Sequence, residues 1–297
     1  MDMTDLRTEI REFLSSRRAR IAPEQTTLPA YSGNRRVKGL RREEVALLAG
    51  ISVDYYVRIE RGGLAGASPG VLDAVSSALQ LDEAERDHLF HLARQSGRPG
   101  GTPRRKVEVT VRPALQQVLD AITDAPAWIR NARFDMLAMN QLARTLYSPV
   151  LAGRRRPANI ARFVYLDPEP ARTLFVDYDQ IVRDIAAKLR MEAGRNPHDH
   201  ELIALVGELS TRSELFRQRW ASHDVRVLRS GRKRVNHPIV GRLDLDYESM
   251  ELAGEHDLHL NIYTAPAGTP TADGLAVLAS WAASQETLAP QLLLPNG

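Results

Sequence analysis

Val53, Asp54 and Arg58 bring an apolar surface, an acceptor and a forked donor into six residues of chain. Those three functions match what base pairs present in the major groove of DNA. Arg58 can give two hydrogen bonds to guanine O6 and N7, Val53 can pack on a thymine methyl group, and Asp54 can accept from a cytosine amino group. Asp54 also fits a second reading, because an acid in the first turn of a helix is favoured by the macrodipole with or without DNA. Tyr55 lies beside them, in reach of the sugar–phosphate backbone, and Ser52 opens the segment. Upstream, Arg35, Arg36, Lys38, Arg41 and Arg42 fall within eight residues, ahead of Glu43. A charge run is usually a solvated face. Directly ahead of base-reading side chains it is placed to contact phosphates, with Arg42 at a helix start where an adjacent base is also in reach.

Such side chains need a rigid frame. Leu40, Val45, Ala46 and Ala49 make the apolar face of a short helix, with Ala46 small enough for a close crossing. Gly50 falls where a helix ends with positive φ. Ile51 fills the angle before the next helix, and the Ser52 hydroxyl caps it. Tyr56 and Ile59 turn inward at i, i+3 spacing, which leaves Val53, Asp54, Tyr55 and Arg58 outside. The spacing predicts a helix-turn-helix with its second helix seated in the major groove. At Ile59-Glu60-Arg61-Gly62 the chain resembles the Xre family of helix-turn-helix repressors. Gly39-Leu40-Arg41-Arg42-Glu43-Glu44-Val45-Ala46 and Ser52-Val53-Asp54-Tyr55-Tyr56 resemble the MmyB-like group, and that resemblance continues to about residue 285. It implies a basic loop before the DNA-reading pair and a PAS-like ligand-binding domain behind it.

The flanking sequence completes a five-helix, lambda-repressor-like domain over residues 1–96. Leu6, Ile10, Phe13, Leu14 and Ile21 form a helical stripe that Pro23 ends. Ser68-Pro69 caps and opens a helix with Val71, Leu72, Val75 and Leu79 inside. Asp82 and Glu85 have capping-box spacing ahead of Leu89, Phe90 and Leu92. Residues 97–106, rich in Gly, Pro and charge, read as a linker.

Residues 107–286 read as a mixed domain and 287–297 as a tail, giving an α + (α+β) fold overall. Leu115, Val118, Leu119 and Ile122 space a helix, and Trp128–Arg130 with Met136–Met139 bracket a hairpin. A helix follows over 140–147. Further helices are expected at about 170–191, 197–209 and 213–221, with 159–167 as a linking segment. Val225–Leu228, Gly241–Glu248 and Leu258–Thr264 alternate as half-buried antiparallel strands. A last helix near 274–283 packs with Leu275, Leu278 and Trp281. This order, hairpin then helices then strands, agrees with the PAS-like domain that the resemblance implies. Its matching positions are Asn140, Asn159–Asp167, Phe216–Val225 and His237–Gly241. The group is associated with fatty-acid-like or other apolar ligands. Phe134, Met136, Phe163, Trp220, His223, Leu228, His237 and Tyr247 are the expected ligand contacts, and each of them fits a core role as well.

Other chemistry is weakly represented. Gly66-Ala67-Ser68-Pro69-Gly70 has the spacing of a nucleophile elbow but no strand before it, so Ser68 reads as a cap. His88 and His91 stand one helical turn apart without an evident third ligand for zinc. No catalytic residue, metal or cofactor is expected. The 297 residues carry no cysteine and a net charge of +3, which fits a reducing cytoplasm. No apolar run is long enough to span a bilayer, and the start Met1-Asp2-Met3-Thr4-Asp5 is wrong for a signal peptide. The expected protein is a cytoplasmic regulator that binds operator DNA as a homodimer, since one helix pair covers only a half-site. A small apolar, fatty-acid-like ligand in the second domain would tune its affinity. Two alternatives stay open for that domain: a ligand-free protein-docking module, or an enzyme tethered to DNA.

Overall fold

Side-chain caps decide where most of the first helices begin. A computed structural model describes residues 3–26, 39–97, 110–196, 199–222, 224, 230–255 and 257–288. It places α1 at Met3–Arg20, α2 at Arg42–Leu48, α3 at Val53–Glu60, α4 at Pro69–Ala78 and α5 at Glu83–Ser96. Ser52 Oγ accepts the Tyr55 N–H at 3.2 Å, and Ser68 Oγ accepts the Val71 N–H at 3.4 Å. Asp82 and Glu85 exchange bonds as a capping box, at 2.9 and 3.2 Å. Glu44 does half of the same for α2, accepting the Arg41 N–H at 2.7 Å. Each cap satisfies a backbone donor that has no partner inside its helix. Gly50, at φ +63°, takes the chain out of α2. Ile10, Phe13, Leu14, Leu40, Val45, Tyr56, Ile59, Val75, Leu89 and Leu92 form one core.

The chain divides into two compact units, and the division is not linear in sequence. Residues 1–105, 186–203 and 218–227 form the first; residues 106–185, 204–217 and 228–297 form the second. The remaining helices are α6 (Pro113–Ala121), α7 (Gln141–Leu146), α8 (Ser148–Leu151), α9 (Ile160–Leu166), α10 (Pro168–Leu174), α11 (Tyr178–Arg195), α12 (His200–Arg212), α13 (Glu214–Ala221) and α14 (Pro270–Leu288). The strands are β1 (Ala127–Arg130), β2 (Met136–Met139), β3 (Ser230–His237), β4 (Gly241–Glu251) and β5 (His259–Thr264). They form one antiparallel sheet in the order β2-β1-β5-β4-β3. Strand alternation sends Ala127 and Ile129 to a face packed on Leu119 of α6, and Trp128 to the other face. Every residue of β1 is buried.

Two asparagines lock the hairpin. Asn140 Oδ1 accepts from the N–H groups of Ala127 (3.1 Å) and Ala143 (2.8 Å), while its Nδ2 donates to the carbonyls of Ile122 and Ala125, both at 2.7 Å. The full capacity of one side-chain amide is thereby used. Asn159 caps α9 through the Arg162 N–H at 2.9 Å and donates to Arg133 O and Asp135 Oδ1 at 2.8 Å.

Four local expectations change. The helix expected over 170–191 is broken into α10 and α11, because Phe175 bridges to Val235 and the Val176 N–H donates to Arg234 O at 3.1 Å. Backbone bonds to β3 replace the helical ones there. The linking segment 159–167 contains the helix α9, since Asn159 supplies its cap. The strand expected at 225–228 falls outside the described residues, apart from which β3 occupies Ser230–His237. That strand lies at the sheet edge, where charged side chains are tolerated, and Arg232-Lys233-Arg234 disguises its pattern. Trp281 of α14 is exposed, and Ala282 is buried instead.

Candidate functional site

The outward face of α3 presents Val53, Asp54 and Arg58 to solvent, while Tyr56 and Ile59 are fully buried behind them. Tyr55 is half-buried, and its ring lies 4.9 Å from the Arg58 guanidinium carbon. This cation–π contact gives Arg58 a preferred direction before any partner arrives. A guanidinium held on an aromatic ledge keeps its fork of donors free for a planar acceptor pair. Ser52 is committed to capping α3. Arg41 is half-buried ahead of α2, and Arg42 is exposed on its first turn. Arg35, Arg36 and Lys38 lie outside the described residues.

Glu60 ties this face to the rest of the first unit. Its carboxylate is buried, with one oxygen accepting Arg18 Nε at 2.8 Å and the other accepting Arg42 Nε. Arg18 also donates to Leu40 O at 2.8 Å. One acid therefore links α1, α2 and α3, and the bond from Glu60 stabilises the charged form of Arg42, raising its pKa. Gly62 follows at φ +93°, and a Cβ there would lie 2.7 Å from Arg7 Cα and Cβ. Backbone conformation and a close approach of α1 both require glycine at this point.

A second buried acid in the first unit has a different environment. Burial pushes the Glu9 carboxyl up, but its basic neighbours outweigh that and hold it at about 2. Arg190 Nη1 donates to both Glu9 oxygens at 2.8 and 2.7 Å, and its guanidinium stacks 4.1 Å from the Trp220 ring centroid. His88 Nε2 stands 3.8 Å from Glu9 Oε1, too far for a hydrogen bond, so Arg190 is the principal partner. Burial lowers the His88 pKa and keeps its ring neutral at pH 7. Among the described residues, no cluster of three or more His, Cys, Asp or Glu side chains is arranged to hold a metal.

In the second unit, Phe163 stacks edge-on to Phe175 at 6.2 Å, and Tyr247 lies 6.1 Å from Tyr263. Both belong to a set of aromatic side chains around Lys233. Phe134 is buried at φ +65° under the Arg130 guanidinium, 4.8 Å from its ring, and Met136 is buried on β2. His237 is buried, with Nε2 3.1 Å from Thr145 O and Nδ1 accepting the Ile239 N–H at 3.3 Å. Both ring nitrogens are thus occupied by backbone, and burial lowers its pKa. Trp220 belongs to the first unit, against Arg190. His223 and Leu228 lie outside the described residues.

Several residues of these sites escape a reading by motif. Tyr147, Phe175 and Lys233 carry no local signature, and only the pairing of β3, β4 and β5 brings Lys233 near Tyr247 and Tyr263. Period-two parity along β5, with His259, Asn261 and Tyr263 all buried, was the available signal. Comparison with known families agrees with both halves of the chain. Residues 12–89 match the model of a helix-turn-helix domain, and residues 111–278 match that of the MmyB-like transcription regulator ligand binding domain. No curated protein matches the chain.

Proposed function

The chain belongs to the family of MmyB-like transcription regulators defined by that ligand-binding domain, and from this premise we propose how its parts divide the work. Residues 1–96 read an operator, 97–106 link, 107–286 hold a small, largely apolar ligand, and 287–297 are a tail. Arg58, Val53 and Asp54 contact base edges, while Arg35, Arg36, Lys38, Arg41, Arg42 and Tyr55 contact the backbone. The observation that carries this reading is the solvent-facing Arg58 held on the Tyr55 ring beside exposed Val53 and Asp54. Two copies acting together would cover both halves of a palindromic operator. The regulator works in the cytoplasm. Ligand binding favours one of two conformations, and operator affinity follows that preference.

Native mass spectrometry of protein purified from its own host, with denaturing extraction, tests the ligand half of this proposal. A retained small molecule whose removal changes duplex affinity is the expected result. A dimer that is empty, and whose duplex affinity no extract of the host alters, would overturn regulation by ligand while leaving DNA binding in place.

A further inference from the structure

Lys233 occupies an unusual position for a lysine in the second unit. Its side chain is half-buried, and Nζ stands 5.7 Å from the ring centroid of Phe175, 5.6 Å from Tyr247 and 5.4 Å from Tyr263. The register explains the convergence. Tyr247 and Tyr263 are direct partners across β4 and β5, and Gly231 opposes Tyr247 with Lys233 two residues further along the same face of β3. Among the described residues no carboxylate forms an ion pair with Lys233. Asp184 acts on Tyr247, whose hydroxyl burial pushes up to about 12 with help from Tyr263 and Asp184, but that acid accepts from Gln180 Nε2 at 2.6 Å.

The hydrogen bonds around Lys233 are all of one polarity. Nζ donates to Tyr263 Oη at 3.1 Å, and Tyr263 Oη lies 2.7 Å from Tyr147 Oη. Three ammonium protons less one leaves two. Two phenol protons, less the one shared between the hydroxyls, leave one more. Trp128, whose ring is 5.4 Å from that of Tyr147, is buried and its Nε1–H meets no acceptor among the described residues. Donors therefore collect here with no protein acceptor to take them, and buried donors are costly to leave in that condition. A single ammonium with neutral hydroxyls matches one negative charge, whereas a phosphate would call for an arginine fork. Half-buried Tyr247 and Lys233 form the side open to solvent.

We infer that Lys233 and the Tyr147–Tyr263 hydroxyl pair receive the carboxylate of a planar aromatic acid, whose ring lies against the faces of Tyr247 and Phe175. The inference rests on the reading of this unit as a ligand-binding domain and names the chemistry that it takes. A flat π-system matches the aromatic walls better than a flexible chain, because ring–ring contacts add to the area buried and little conformational freedom is lost.

Calorimetric titration of the full chain with 2-naphthoate, its uncharged analogue 2-naphthamide, and octanoate tests it. Charge-assisted hydrogen bonds predict roughly ten- to hundredfold tighter binding of the naphthoate than of the amide. Lys233→Met should bring naphthoate down to the amide, and Lys233→Arg should restore the preference. Tyr263→Phe keeps the ring, and should weaken naphthoate more than naphthamide even if Lys233→Met does not fold. Equal affinity of acid and amide, or no binding of either, overturns the anion site. Octanoate binding as tightly as naphthoate overturns its aromatic character. Ligand regulation itself is decided separately, by the mass-spectrometric experiment above.

Discussion

Replacing Glu60 by glutamine keeps the shape of the side chain and removes the charge that joins three helices. The two bonds it disturbs differ in burial. Arg18 is 15% exposed and Glu60 1%, so their pair is effectively out of water, whereas Arg42 is 47% exposed. Breaking a buried pair costs about 3–5 kcal/mol, much of it from the charge left without a partner. Glutamine can still accept one hydrogen bond from Arg18, which places Glu60→Gln near the lower end, at about 3 kcal/mol. The half-exposed Arg42 contributes no more than about 1 kcal/mol, as surface pairs do. Double-mutant cycles separate the two contributions. Arg18→Met with Glu60→Gln should show coupling of about 2 kcal/mol, and Arg42→Met with Glu60→Gln below about 1 kcal/mol. Because the chain has two units, local stability should be read by native-state hydrogen exchange across α2 and α3 rather than from one global transition. Equal couplings, or an Arg18 coupling under about 0.5 kcal/mol, would refute the claim that burial ranks these bonds.

Three further outcomes are expected. Gly62→Ala should destabilise the first unit by about 2 kcal/mol or more, measured by the same exchange method, because strain at φ +93° and a clash with Arg7 act together. Glu9 is held at about 2 against an ordinary 4.5. Its depressed pKa contributes stability that is complete above about pH 4.5 and is lost as pH falls towards 2. Acid unfolding should therefore show a limb worth about 3 kcal/mol in that window, which Glu9→Gln flattens. Asn140→Ala removes four hydrogen bonds at once and strands buried backbone groups, so the second unit should lose at least about 3 kcal/mol in urea unfolding.

What could be read in the sequence follows the range of the interactions involved. Ser52, Ser68, Asp82 and Gly50 act on backbone within a few residues, and their spacing alone placed α3, α4 and α5. The α3 face was legible for the same reason, since helical periodicity separates Tyr56 and Ile59 from Val53, Asp54 and Arg58. Glu60 was visible only as part of a motif, because its partners Arg18 and Arg42 lie 42 and 18 residues away. The break between α10 and α11 depends on β3, a strand met only later in the chain and masked by three consecutive basic residues. The Lys233 cluster is farther still from local reading: its members come from β3, β4, β5, α7's C-terminal cap and the segment after α10. No single spacing encodes such a site; it exists only once the sheet is paired.

The central claim is that the outward face of α3 reads DNA sequence. Its most direct test is affinity of the full chain and of Arg58→Ala for a duplex selected from a random library and for a scrambled duplex, at one salt concentration. If α3 reads bases, the wild type discriminates between the two, and Arg58→Ala loses about 1–3 kcal/mol of that discrimination while scrambled-duplex binding changes little. Undiminished discrimination by Arg58→Ala would contradict this placement of the helix.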